Sequence, residues 1–314
     1  PDPIPPNWGG PGSIIGAWSG GAYDWERDRL IVWGGGHADY SGNEIYVFDL
    51  NTLSWSRIWG PTPNEQIPDD GQTYEVYQDG NPSSRHTYEG LEYIPSPIDR
   101  FWSQGGSCWK GGGGSNATWL FDFDSLNWER ATDSPDSMYG VVSAWDPQSG
   151  HVFHQGQNDF SQYDPVADSY FVRGNYSEGW WNDKMTAEIE PNARLFIAIG
   201  QEQVNVWTLD TFERQNPTTS GGDNVVNANS PGFVWDSQKQ RLVAWVGGTS
   251  VWHLDVGDWS WTEEPASGDN VIYPTAPDSK GCYGRFRYVD KYHAVIVVNS
   301  IDENVFIYKL RDDI

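Results

Sequence analysis

Residues Leu30–Trp55 read LIVWGGGHADYSGNEIYVFDLNTLSW. An apolar run of strand length stops on three glycines. A histidine follows at once, and a second apolar run closes on a tryptophan. Short apolar runs bounded by glycine and turn residues read as strands, and a fixed recurrence of such a unit outranks any local signal.

The unit recurs. FWSQGG ends at Gly106, HVFHQG at Gly156, LFIAIG at Gly200 and LVAWVGG at Gly248, while AVIVVN ends at Asn299 without glycine. With LIVWGGG these make six copies. Each copy is preceded by a turn, such as WERDR or DSQKQR, and by a further apolar stretch. Downstream, FDLNTLSW (Phe48–Trp55) aligns with FDFDSLNW (Phe121–Trp128). YDPVADSY (Tyr163–Tyr170) and LDVGDWSW (Leu254–Trp261) keep the spacing, and WTLDTFER (Trp207–Arg214) ends on arginine instead. Each unit therefore reads as four short strands, with glycines closing the second and an aromatic near the start of the fourth.

A run of hydrophobics, a glycine pair and an aromatic spaced before a tryptophan resembles the kelch repeat. The resemblance covers nearly the whole chain and is sharpest in the first two units. It implies an all-β fold, a six-bladed β-propeller of four-stranded antiparallel blades in one domain spanning 1–314. The blades fall at about 14–58, 84–131, 136–173, 182–215, 225–264 and 280–310. On this reading the glycines let neighbouring blades approach closely. The sixth unit reaches only its third strand. The segment 3–9, with Trp8 in the place of a fourth-strand aromatic, is expected to complete it and close the ring, because open strand edges are a liability. The stretch 59–83, rich in Pro, Asp and Gly, is expected to be an extended loop.

Bulk properties narrow the function. The 314 residues carry a formal net charge of −25, with a pI near 4.3. Such a field disfavours nucleic acid and anionic membranes as partners. No run of apolar residues is long enough to span a bilayer as a helix. The opening PDPIPPNW suits a processed N-terminus, and the acidity suits a secreted, extracellular or periplasmic protein. Two cysteines, Cys108 and Cys282, leave both a disulfide and free thiols open.

In a propeller, the starts of first strands and the ends of second strands open on one face. The repeat alignment gathers His37, Asp39, Tyr40, Cys108, Trp109 and Lys110 there, with Arg85, His86, Tyr88, Tyr139, Trp180, Trp181, Lys184, Lys280, Tyr283 and Arg285. His151, His154, His253 and His293 fall within strands or at the other end and read as structural. Histidine, tyrosine and arginine together suit β-elimination at a uronic acid. There a cation neutralises the carboxylate, one group takes the adjacent proton and another assists the leaving oxygen. The candidate catalytic residues are His37, His86, Tyr88 and Arg285. Arg85 is the rival carboxylate clamp, and Trp109, Lys110, Tyr139, Trp181, Lys184 and Tyr283 are candidate substrate contacts. In residue type this set is similar to the sites of propeller polysaccharide lyases that cleave ulvan. The expected partner is thus a polysaccharide or oligosaccharide.

Competing chemistries find less support. Gly111–Gly114 lacks the Lys-Ser or Lys-Thr of a phosphate loop. No paired-cysteine or His-x-x-x-His spacing marks a metal site, so no cofactor is required; Asp302 and Glu303 are the candidates for a structural calcium. Galactose oxidase also carries a kelch propeller, with two tyrosines, two histidines and a cysteine at its site, but here the pair Tyr292-His293 is expected at the wrong end of its blade. The alternative to an enzyme is a non-catalytic propeller, a lectin, adhesin or scaffold that binds glycan or protein through the same face.

Overall fold

The computed structural model describes residues 1–7, 9–175 and 183–311. The chain folds as two compact units, Pro1–Asp183 and Lys184–Ile314. Six antiparallel sheets follow one another along it, each wound in sequence order as a meander, which is the succession of blades of a six-bladed β-propeller.

In the first unit, sheet one comprises Gly21–Asp24, Arg29–Val32, Ile45–Asp49 and Ser54–Trp59. Sheet two comprises Leu91–Ile94, Arg100–Gln104, Thr118–Asp122 and Asn127–Arg130, and sheet three Val142–Asp146, His151–Gln155, Asp159–Asp164 and Ser169–Asn175. In the second unit, sheet four comprises Thr186–Glu190, Leu195–Gly200, Gln203–Thr208 and Arg214–Gln215. Sheet five comprises Gly232–Asp236, Arg241–Trp245, Val251–Asp255 and Ser260–Glu264. Sheet six holds Phe286–Val289, Ala294–Val297 and Phe306–Lys309.

The repeated residues explain the repeated geometry. The aromatic of the fourth strand stands directly opposite its partner on the third, as Phe48 opposite Trp55, Phe121 opposite Trp128, Tyr163 opposite Tyr170 and Leu254 opposite Trp261. The aspartate after that partner closes the connecting turn. Asp49 Oδ1 accepts the amides of Asn51 and Thr52 at 2.7 and 2.9 Å, and Asp122 and Asp164 each accept two amides in the same way. An Asx turn of this kind fixes the chain reversal without a glycine. Arginines at the head of second strands pair with strand-end carboxylates: Arg29 with Asp24 at 2.8 Å, Arg100 with Asp122 at 2.7 Å and Arg241 with Asp236 at 3.1 Å. These carboxylates thus serve the turns and strand ends.

The glycines after the second strand answer to crowding. A Cβ on Gly36 would lie 1.9 Å from Arg85 Cα, because the backbone entering sheet two passes directly against it. Fourth-strand aromatics fill the space between consecutive sheets. Trp128 of sheet two joins a core with Ile31, Trp33 and Val47 of sheet one, and Trp261 of sheet five joins one with Ile197, Ile199 and Val206 of sheet four. Burying such rings is a large apolar gain for the sheets that carry them, Trp128 and Trp261 being 8% and 5% exposed.

Entry into the first strands uses a second recurring device. Trp18, Tyr88, Ser230 and Tyr283, each two or three residues ahead of a first strand, adopt φ of 47°, 49°, 42° and 46°. Within each unit these corners are bonded in succession. Tyr88 N donates to Trp18 O at 2.7 Å, Ser230 N to Lys184 O at 2.7 Å, and Tyr283 N to Ser230 O at 3.3 Å.

One expectation is not met in the described residues. Segment 3–9 does not appear as a strand of sheet six. Asn7 instead bridges Tyr40, and Pro6 O accepts the amide and hydroxyl of Ser41 at 3.1 and 2.7 Å. Trp8 lies outside the described residues. Prolines at 3, 5 and 6 leave this segment few ladder donors, which favours such side-chain and isolated contacts over strand pairing.

Candidate functional site

The site is built by two short segments of the first unit. Gly36–His37–Ala38–Asp39 forms the turn after the second strand of sheet one, closed by Asp39 N donating to Gly36 O at 3.1 Å. Arg85–His86 forms a two-residue ladder with Ser107–Cys108, and His37 N donates to Ser107 O at 3.2 Å. The two histidines therefore meet. Their ring centroids lie 5.5 Å apart, with the planes at 70°.

They differ in environment. His37 is exposed, whereas His86 is buried. His86 Nε2 lies 2.7 Å from Asp39 Oδ2, so the carboxylate orients the ring. Trp18 packs on His86 at 4.9 Å, tilted by 33°, and Tyr88 meets it edge-on at 6.1 Å. Burial pushes the Tyr88 phenol well above its ordinary range, and the nearby Asp183 and Tyr139 push it the same way. At neutral pH Tyr88 therefore stays protonated. Tyr139 is half-buried.

The four-glycine run finds its reason here. A Cβ on Gly112 would come 2.5 Å from His37 Nε2, and one on Gly111 2.6 Å from Thr73 Oγ1. The run is a thin wall against His37, and it allows that ring to stand where it does.

Other expected site residues are turned inward. Arg85 is fully buried. Its guanidinium donates to the carbonyls of Ser83, Gly105 and Glu75 at 3.2, 3.1 and 3.1 Å, and to Ser115 Oγ at 3.4 Å. This corrects its reading as a carboxylate clamp, because its donors already serve main-chain oxygens. Arg285, in the second unit, is likewise buried and donates to Val298 O and Gly281 O, both at 3.1 Å. These two donors thus serve main-chain oxygens at a buried position in the second unit. Burial holds its guanidinium below the usual arginine range.

Trp109 is not an exposed platform. It is buried with Ile67 and Tyr77, and its indole donates to Pro68 O at 2.7 Å. The stretch 59–83 is thus a folded-down loop anchored on Trp109, and Tyr77 Oη adds a bond to Ser41 O at 2.7 Å. Lys110 pairs with Asp69 of that loop. Lys184 and Tyr283 belong to the second unit. Lys184 is half-buried and Tyr283 is buried at the strand-entry corner described above. Trp180 and Trp181 lie outside the described residues.

Asp39 was placed on this face by the alignment, but not as the partner of His86. The signal for Asp39 was its position two residues after His37, the distance that a tight turn brings back. Among the described residues no group of three or more His, Cys, Asp or Glu could hold a metal ion. Of the calcium candidates, Glu303 accepts the Thr275 amide at 2.9 Å and Asn299 Nδ2 at 3.3 Å, which makes it a tie between loops. Cys108 and Cys282 are both buried free thiols. Among the described residues no helix is long and apolar enough to cross a membrane. The chain matches no protein-family model and no curated protein.

Proposed function

We propose that this is an extracellular or periplasmic carbohydrate-active propeller that cleaves a uronic-acid-containing glycan by β-elimination at His37. One observation carries the reading: an exposed imidazole stands edge-on to a buried one that a carboxylate holds in place. His37 is the group a polymer lying across the surface meets first, and it takes the proton adjacent to the carboxylate. Tyr88, held protonated, donates to the leaving oxygen. His86 and Asp39 set the orientation of the pair. The kelch-like repeat and the residue types shared with ulvan-cleaving propellers support the same reading as analogy. The test is to incubate the protein with uronic-acid polysaccharides and follow the ultraviolet absorbance of an unsaturated uronide. A signal that disappears in His37→Ala supports elimination.

A second reading, a glycan-binding propeller without chemistry, is favoured by the engagement of Arg85 and Arg285 with main-chain carbonyls. Elimination needs its carboxylate neutralised, and binding does not. Saturable glycan binding with no unsaturated product would establish this alternative.

A further inference from the structure

We infer that Thr73, on the loop 59–83, is a positioning residue for His37, and that its hydroxyl acts on the ring through the glycine ribbon Gly111–Gly113. The inference concerns where the ring stands, so it applies to the catalytic and the binding reading alike. Only the effect on rate given below rests on elimination.

The ribbon is one residue thick, and its glycines face alternate ways. Cβ atoms on Gly111 and Gly113 would meet Thr73, at 2.6 Å from Oγ1 and 2.8 Å from Cγ2. A Cβ on the intervening Gly112 would meet His37 instead, at 2.5, 2.6 and 2.9 Å from Nε2, Cδ2 and Cε1. Three ring atoms at such similar distances put that carbon over the face of the imidazole, not beyond its edge. The ribbon thus supports a face of His37 and leaves the in-plane direction at Nε2 clear of Gly112.

Thr73 holds the ribbon from behind. Its Oγ1 accepts the amide of Gly113 at 3.0 Å. Main-chain bonds set it there: Lys110 N and Gly111 N donate to Gln72 O at 3.1 and 3.0 Å, and Tyr74 N donates to Trp109 O at 2.6 Å. Thr73 and Lys110 form an isolated antiparallel bridge. Ser107 ties the ribbon to the histidine turn. Its Oγ donates to Gly112 O at 2.9 Å, and its carbonyl accepts His37 N at 3.2 Å. The backbone of His37 is therefore held by Ser107, while its ring rests on a strip that Thr73 backs. A small displacement of a reacting group costs rate steeply, so a residue behind the strip has leverage on the chemistry. The loop has other fastenings, the Trp109 indole on Pro68 O and Tyr77 Oη on Ser41 O, and Thr73 itself is exposed. Loss of its hydroxyl should leave the fold intact.

The test is Thr73→Val in the full chain, which removes Oγ1 and keeps the branched shape, with Thr73→Ser as the variant that retains the oxygen. The first readout is the NMR signal of the His37 ring in histidine-labelled protein, identified by its loss in His37→Ala. It needs no substrate. In Thr73→Val that signal should shift from its place in the unaltered chain, and diethyl pyrocarbonate should modify His37 faster. Thr73→Ser should restore both. Uronide formation at saturating glycan should fall about tenfold in Thr73→Val with KM unchanged, because a displaced base costs chemistry and not binding. An unshifted His37 signal in Thr73→Val overturns the inference, whatever the rate does. So does a serine variant that behaves like the valine one, or a valine variant that fails to fold, since Thr73 would then serve the fold and not the ring. A shifted signal in a chain that yields no unsaturated uronide supports the placement and counts against elimination alone.

Discussion

The exposed imidazole of His37 meets the buried imidazole of His86 edge-on at 5.5 Å, although 48 residues separate them in sequence. The contact exists because Gly36 has no side chain, which lets the backbone at Arg85 and His86 run against the turn that carries His37. Architecture and candidate chemistry therefore depend on the same glycine.

His37→Ala should separate chemistry from stability. The ring is exposed, so the change should cost less than about 0.5 kcal/mol in urea unfolding. Loss of a proton-transfer group should lower the rate of uronide formation by about 100-fold or more. Unfolding curves and initial rates on the same preparation check both. Asp39→Asn should lower the rate less than His37→Ala while leaving glycan affinity unchanged, because Asp39 acts through the orientation of His86.

Gly36→Ala should be among the most damaging single-methyl changes in the chain. The added carbon would fall 1.9 Å from Arg85 Cα, and backbone must move to admit it. A loss of about 3 kcal/mol is expected by chemical denaturation. Gly60→Ala, where an added Cβ meets nothing within 4 Å, is the matched control and should be close to neutral.

Arg85→Met should act on stability. It takes the guanidinium donors from the carbonyls of Ser83 and Gly105, while Glu75 O keeps the amide of Ser83. The cost should be on the order of 3 kcal/mol, since each orphaned buried acceptor is penalised. A thermal midpoint equal to that of the unaltered chain would contradict the assignment of Arg85 as a structural brace.

His154 should make the fold sensitive to acid. It is fully buried, neither ring nitrogen has a hydrogen-bond partner among the described residues, and burial lowers its pKa to about 3. The unfolded chain binds this proton near the ordinary histidine value of about 6.5, so between these values the unfolded state holds more protons. The contribution is complete above about pH 6.5 and is lost as pH falls toward 3. His154→Phe should flatten the stability profile across that window, measured by denaturation at a series of pH values.

The sequence made the blades legible because each strand-closing residue recurs at a fixed spacing. The spacing of Phe48 and Trp55 marked the third and fourth strands, and the structure sets these repeated residues opposite one another. His37 and His86 could be brought to one place by alignment alone. What alignment could not supply was side-chain direction. Arg85 and His86 are adjacent, and periodicity says only that they point to opposite sides. Which side holds the carbonyls that capture a guanidinium is a tertiary fact. Trp109 was misjudged for a related reason, because the loop that covers it comes from 59–83, a stretch with no period to read. Asp39 was visible on the face, but its pairing with His86 was not, since that partner lies 47 residues away.

The aspartates that close the third-to-fourth strand turns carry a consequence for altering this protein. Asp49, Asp122 and Asp164 act through an oxygen that accepts backbone amides. Asparagine offers the same acceptor without the charge. A form of the chain made less anionic for work near polyanions can therefore begin at Asp49, whose hairpin keeps its fastening after amide exchange, whereas Asp122 also holds Arg100.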